Sequence, residues 1–177
     1  MRFYLPLLFI PTALGAALET RPGSSSSRLT SCSKALPESP KTVAALVNNY
    51  AEVVGNYSDA LASSFLAEGF TDVSSSINAI AGLPLENATF PSKQAFMASQ
   101  ETQPKIPLVV TGTYAVTQDT VVIRYTQTFG AANLPVAGIS ILEFVCEDGQ
   151  WKLKTIWTEF NSLVYFGDIG GSCSLPS

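Results

Sequence analysis

The chain contains no histidine. Ser-His-Asp triads, His–Asp dyads and histidine metal sites are therefore excluded, and acid–base chemistry must run on carboxylates, tyrosine hydroxyls and amides. The foremost carboxylate is Asp72, in the extended run Phe70-Thr71-Asp72-Val73 that follows a helical pattern. Inside an apolar pocket its charged form is disfavoured, which raises its pKa toward the range of a general base. At a surface the same side chain would cap the Ser-rich turn that follows. Tyr50 lies on the apolar stripe of the first helix, with its ring inward; it is either a hydrogen-bond donor to a ligand or a core tyrosine satisfied by the protein. In the last strand Trp151, Leu153, Thr155, Trp157 and Glu159 alternate onto one face and Lys152 and Lys154 onto the other. With the lysines in solvent, Trp157 and Glu159 point inward, where Glu159 needs a partner such as Arg124 or a helix hydroxyl. A bulge near Thr158 would instead turn Glu159 outward, and a structural bridge is the other alternative. Arg124 and Glu143 read as a cross-strand ion pair on the outer face. Trp157, Tyr125, Phe96 and Phe129 are ligand-lining aromatics or simply core.

These residues must be positioned by helices first and strands second. Pro40 opens a helix at its first position, Val43, Leu46, Val47, Tyr50 and Val54 form its stripe, and Gly55-Asn56 ends it. A second helix starts at Ser58 and stops near Gly69. Residues 74–91 carry Gly82, Pro84 and Pro91 and read as loop with a short turn at Ser76 to Ala81. Ser92 starts a third helix that ends before Pro104. Strands follow at 107–117, 120–129, 136–147 and 150–161, rich in Val, Ile, Thr, Tyr and Phe, with hairpin turns at Gln118-Asp119 and Glu147-Asp148-Gly149. This order predicts an α+β fold: three helices packed on one face of a curved antiparallel sheet, together enclosing a cone-shaped apolar cavity.

Met1 to about Ala17 reads as a secretory leader: Arg2, a short apolar run, then small residues suited to cleavage. It is too short to span a membrane. Residues 18–38 form a Ser-, Pro- and Gly-rich N-terminus, 39–166 the folded domain and 167–177 a tail. The expected setting is extracellular or the lumen of the secretory pathway. Asn56-Tyr57-Ser58 and Asn87-Ala88-Thr89 are then glycosylation sequons at Asn56 and Asn87. In an oxidising compartment the expected disulfide joins Cys32 to Cys173, both in loop contexts, and leaves Cys146 as a buried free thiol at a strand end. No Cys-x-x-Cys spacing offers a zinc site, so neither metal nor cofactor is expected. A formal charge of −4 and scattered Lys and Arg exclude nucleic acid as a partner. No Gly-x-Ser-x-Gly elbow is present.

Over residues 40–165 the chain resembles the nuclear transport factor 2-like superfamily, in its ketosteroid isomerase and SnoaL-type branch. Ile156-Trp157-Thr158-Glu159-Phe160-Asn161 looks like the Tyr-Trp-Ser-Glu-Val-Asn ending of a bacterial ketosteroid isomerase. Phe70-Thr71-Asp72-Val73-Ser74, Ser76-Ile77-Asn78, Ala81-Gly82-Leu83-Pro84, Phe90-Pro91-Ser92-Lys93, Glu159-Phe160-Asn161-Ser162 and Asp168-Ile169-Gly170-Gly171 are closest to exported fungal members. The resemblance implies Asp72 as general base and Tyr50 as donor to a developing oxyanion. The isomerase's second oxyanion acid would fall near Ile141, and Glu143 is the nearest carboxylate. Two functional classes follow. One is a proton-transfer isomerase, dehydratase or cyclase on an apolar, polyketide-like molecule, with Glu159 as a further candidate group. The other is a noncatalytic secreted binder of a ligand or of the cell surface. Either could be a monomer or a homodimer through the sheet face.

Overall fold

The computed structural model describes Cys32, residues 35–36 and residues 40–172. The expected leader, the rest of the 18–38 segment and Cys173 lie outside the described residues. Along the chain run α1 (Pro40–Gly55), α2 (Asp59–Phe65), β1 (Leu66–Val73), α3 (Ser75–Ala81), α4 (Lys93–Gln100), β2 (Val109–Val116), β3 (Thr120–Thr128), β4 (Pro135–Glu147), β5 (Gln150–Phe160) and α5 (Ser162–Asp168). The α+β expectation holds, with refinements. The sheet order is β1-β5-β4-β3-β2, and β1 pairs with β5 in parallel, so the sheet is mixed rather than wholly antiparallel. Residues 75–81 form a full helix, and a fifth helix occupies 162–168, across the expected boundary between domain and tail.

The short helices start where a polar side chain satisfies an orphan N–H. Ser58, Ser74, Ser92 and Asn161 each accept from the backbone three residues on. Helix α1 buries Val43, Leu46, Val47, Tyr50 and Val53 against the inner sheet face, where Val121, Ile123, Leu142, Phe144, Leu153 and Ile156 complete the core. Lys93 is a buried exception. Its Nζ donates to Ser63 O at 2.9 Å, Leu66 O at 3.0 Å and Glu68 Oε1 at 3.1 Å, satisfying carbonyls at the α2–β1 junction. Among the described residues no helix is long and apolar enough to cross a membrane.

Strand β5 carries the irregularity that matters most. Glu143 pairs with Thr155 and Phe144 with Leu153, so Lys154 has no opposite number. The extra residue inverts the side-chain phase: Leu153, Thr155 and Ile156 are all buried, and beyond them Trp157 and Glu159 turn outward while Thr158 turns in. The bulge thus lies four residues before Thr158, the position considered from the sequence. Trp157 is 44% exposed opposite Ile141 on the outer face of the sheet, where Ile139 and Tyr114 are exposed as well. Arg124 and Glu143 do not pair; register places Arg124 opposite Ile139 and Glu143 opposite Thr120.

The disulfide joins Cys32 to Cys146, with Cα atoms 5.8 Å apart, and not to Cys173. Cys32 and Leu36 are bound at the hairpin end of the sheet: Cys32 N donates to Gly149 O and Leu36 N to Gln118 O. That placement brings Cys32 to the end of β4, where Cys146 is exposed rather than a buried thiol. A bond closing so long a loop stabilises by restricting the unfolded chain, so Cys146→Ser should lower stability by about 2–4 kcal/mol. Digestion without reductant should release a Cys32–Cys146 peptide pair; a Cys32–Cys173 pair would contradict the assignment.

Candidate functional site

Asp72 sits near the end of β1, paired through its backbone with Ile156 of β5. On its other side it exchanges two backbone hydrogen bonds with Phe90, N to O at 3.0 Å and O to N at 3.1 Å. Clamped on both sides, the residue presents its side chain to the space between helices and sheet and keeps only 4% of its surface exposed. Its Oδ1 is buried with no hydrogen-bond partner among the described residues. Burial pushes the carboxyl up to about 7, and no cation among the described residues offsets it.

Asp72 lines a cavity of about 180 Å3 together with Tyr50, Phe90, Phe96, Tyr125, Phe129 and Thr158. Tyr50, Tyr125, Phe96 and Phe129 thus gather around Asp72 as expected, whereas Trp157 lies on the opposite face of the sheet. Larger hollows, of about 590 and 650 Å3, are surface grooves against the outer sheet face and between α1 and β2.

A chain of hydroxyls forms one wall. Tyr50 OH and Ser140 Oγ are 2.8 Å apart, Ser140 Oγ and Thr158 Oγ1 2.8 Å, and Tyr125 OH and Thr158 Oγ1 3.1 Å. In each of these three contacts either hydroxyl can be the donor. Thr158 Oγ1 also lies 3.4 Å from Ile139 O, which can only accept. Burial raises the Tyr50 hydroxyl well above its ordinary pKa and pushes Tyr125 up to about 12, and the charge of Asp72 adds a smaller upward push to both. Both phenols therefore stay protonated. Ser140 and Thr158 were not singled out from the sequence. Ile141, the place of the expected second acid, is exposed on the outer face, and its inward neighbour Ser140 contacts Tyr50 instead.

Glu159 has a structural role. Its carboxylate accepts from Ser75 N and Ser76 N, both at 2.8 Å, and from Ser76 Oγ, so it ties the first turn of α3 to the end of β5. Its partner is a helix hydroxyl and not Arg124. Among the described residues no group of three or more Cys, Asp and Glu side chains could hold a metal ion. Both sequon asparagines, Asn56 and Asn87, are exposed.

A family model for the NTF2-like domain matches residues 38–172. Solved structures share the fold at low identity. A candidate SnoaL-like polyketide cyclase from Jannaschia sp. CCS1 aligns at TM-score 0.52 and 13% identity, covering 72% of this chain and 93% of that one. A protein of ketosteroid isomerase-like fold from Catenulispora acidiphila, in complex with trimethylamine, aligns at 0.52 and 16%, over 72% and 93%. A candidate ketosteroid isomerase from Kribbella flavida aligns at 0.50 and 13%, over 75% and 81%. No curated protein matches the chain.

The raised carboxyl makes stability depend on pH with a definite sign. Below about pH 4 Asp72 is protonated in folded and unfolded chains alike. Between about 4 and 7 the unfolded chain ionises while the folded one holds its proton, so stability falls as pH rises, and above 7 the loss is constant. Asp72→Asn should remove this dependence. Relative to the parent it should gain nothing near pH 4 and up to about 2–4 kcal/mol above pH 7. Urea denaturation at both pH values checks it; an equal effect at the two would contradict a buried, raised carboxyl.

Proposed function

The chain belongs to the NTF2-like family, and we propose that its cavity binds a small apolar carbonyl compound on which Asp72 acts as a general base. The observation that carries this reading is the buried Asp72 carboxylate, one oxygen of which has no partner among the described residues. A base with its pKa near 7 is half ionised at neutral pH, where proton transfer in both directions is efficient. In the isomerase form of the reaction, Asp72 takes the proton between a ketone and a neighbouring C=C. The electron pair delocalises onto the carbonyl oxygen, and the same proton returns at the far carbon of the alkene, leaving a conjugated enone. From the enolate of a β-hydroxyketone, loss of the hydroxyl as water, with the proton held by Asp72, would make the site a dehydratase; attack of an enolate on a second carbonyl, whose oxygen takes that proton, would make it a cyclase.

The cavity of about 180 Å3 is close to the ~150 Å3 engineered apolar cavity that takes benzene, so it suits a one-ring compound or one end of a polyketide-like chain. Tyr50 lines the same cavity, but its hydroxyl is already paired with Ser140 at 2.8 Å and would have to turn to serve a ligand. That commitment of the hydroxyls favours the alternative, a noncatalytic binder. Export through the secretory route, with glycans on Asn56 and Asn87 and the likeness to exported fungal members, belongs to the same proposal. The exposed outer sheet face around Trp157 would serve self-association, visible as a dimer in sedimentation at rising concentration.

Conversion of cyclohex-3-enone to its conjugated isomer, followed by ultraviolet absorbance, tests the enzyme reading. The rate should rise with pH through about 7 and level off above it, since the ionised carboxylate is the active form. Asp72→Asn should bind the ketone and lose about 10²-fold or more in rate. Binding without turnover in the parent protein would select the binder.

A further inference from the structure

We propose that Tyr165, on the C-terminal helix α5, is the residue that limits the size of ligand the Asp72 cavity accepts. The inference rests on the reading of that cavity as a binding site. Tyr165 lines the cavity on the side of α5, wedged between two other lining aromatics: its ring centroid lies 5.0 Å from that of Phe129 and 5.1 Å from that of Phe160. The three rings come from three elements or their ends, β3, β5 and α5, and together they form one continuous aromatic wall. The Tyr165 hydroxyl makes no hydrogen bond among the described residues, and partial burial raises its pKa. Among the described residues the ring is therefore held by packing.

Helix α5 is fixed at both ends, so the wall stands at a set distance from Asp72. At its start Asn161 N donates to Ala137 O and Asn161 Oδ1 accepts from Val164 N. At its end the buried Asp168 accepts from Leu134 N through Oδ1 at 3.1 Å and from Ala131 N through its backbone oxygen at 3.0 Å. Gly130 makes this latch possible: it has φ +73°, and a side chain there would overlap the Asp168 carbonyl. With the helix pinned on both sides, a ligand longer than one ring meets Tyr165 before its carbonyl neighbourhood reaches Asp72.

Cyclohexanone and 2-decalone, titrated separately and followed by ligand-observed NMR, test the assignment. The two-ring ketone offers more apolar surface and would bind more tightly in an unobstructed pocket. The parent protein should instead prefer cyclohexanone by about tenfold or more, in line with discrimination by a packed apolar wall. Tyr165→Ala should reverse the order, Tyr165→Leu should narrow the preference, and Tyr165→Phe, which keeps the ring, should retain the parent order. A parent protein that prefers decalone, or an order unchanged in both the Ala and Leu variants, overturns the assignment of Tyr165 while leaving the cavity as the binding site. Failure of both ketones to bind any form overturns the cavity reading and this inference together.

Discussion

A carboxylate held in an apolar cavity, with no cation beside it among the described residues, is an expensive group to fold around, and much of this structure serves to keep Asp72 there. Desolvation that moves a carboxyl from its ordinary range to about 7 corresponds to roughly 4 kcal/mol of disfavoured ionisation. That is a large part of the roughly 5–15 kcal/mol that stabilises a typical domain. The backbone offsets it by fixing the residue twice, in the parallel ladder with β5 and in the bridge to Phe90. The parallel β1–β5 pair is what distinguishes this sheet from a plain meander, and it carries Asp72 over the core instead of letting it reach solvent after α2.

Around that carboxylate the polar groups are placed with little slack. The hydroxyls of Tyr50, Ser140, Thr158 and Tyr125 form one connected chain that reaches the Ile139 carbonyl. Tyr125 packs over Gly138, directly opposite it in the ladder, where any side chain would overlap the ring. The cavity thus owes its shape to a small residue on one strand as much as to the large ones facing it. Neutral hydroxyls are bound to one another, and the buried Asp72 Oδ1 has no hydrogen-bond partner among the described residues. This division of roles allows a single residue to carry the chemistry of the site.

Much of this was legible in the sequence, for identifiable reasons. The strands show because Val, Ile, Tyr and Thr alternate cleanly along β3 and β4, and Tyr50 shows because α1 has one apolar stripe. Asp72 stands out as the acid in an otherwise apolar extended run. Strict alternation carried across Lys154 puts Trp157 and Glu159 on the wrong face, because the one-residue bulge leaves no mark in a run where Lys152 and Lys154 alternate regularly with Trp151, Leu153 and Thr155. Helix α5 escaped notice because Leu163, Val164, Tyr165, Phe166 and Ile169 are apolar on all sides, with Leu163 and Ile169 exposed, so periodicity marks no face. Pairing of Cys32 with Cys146 depends on the binding of Cys32 and Leu36 at two hairpin turns, a long-range fact that spacing does not encode. Ser140 and Lys93 gain their roles from partners distant in sequence.

The central claim is that Asp72 is a buried carboxylate with its ionisation displaced to neutral pH. Its direct measure is an NMR titration of the side-chain carboxyl carbon in protein labelled at aspartate, with Asp72→Asn identifying the signal. The structure predicts a midpoint near 7, well separated from the exposed aspartates. A midpoint near 4 would mean that the side chain reaches water, and the account of the cavity built on it would fail.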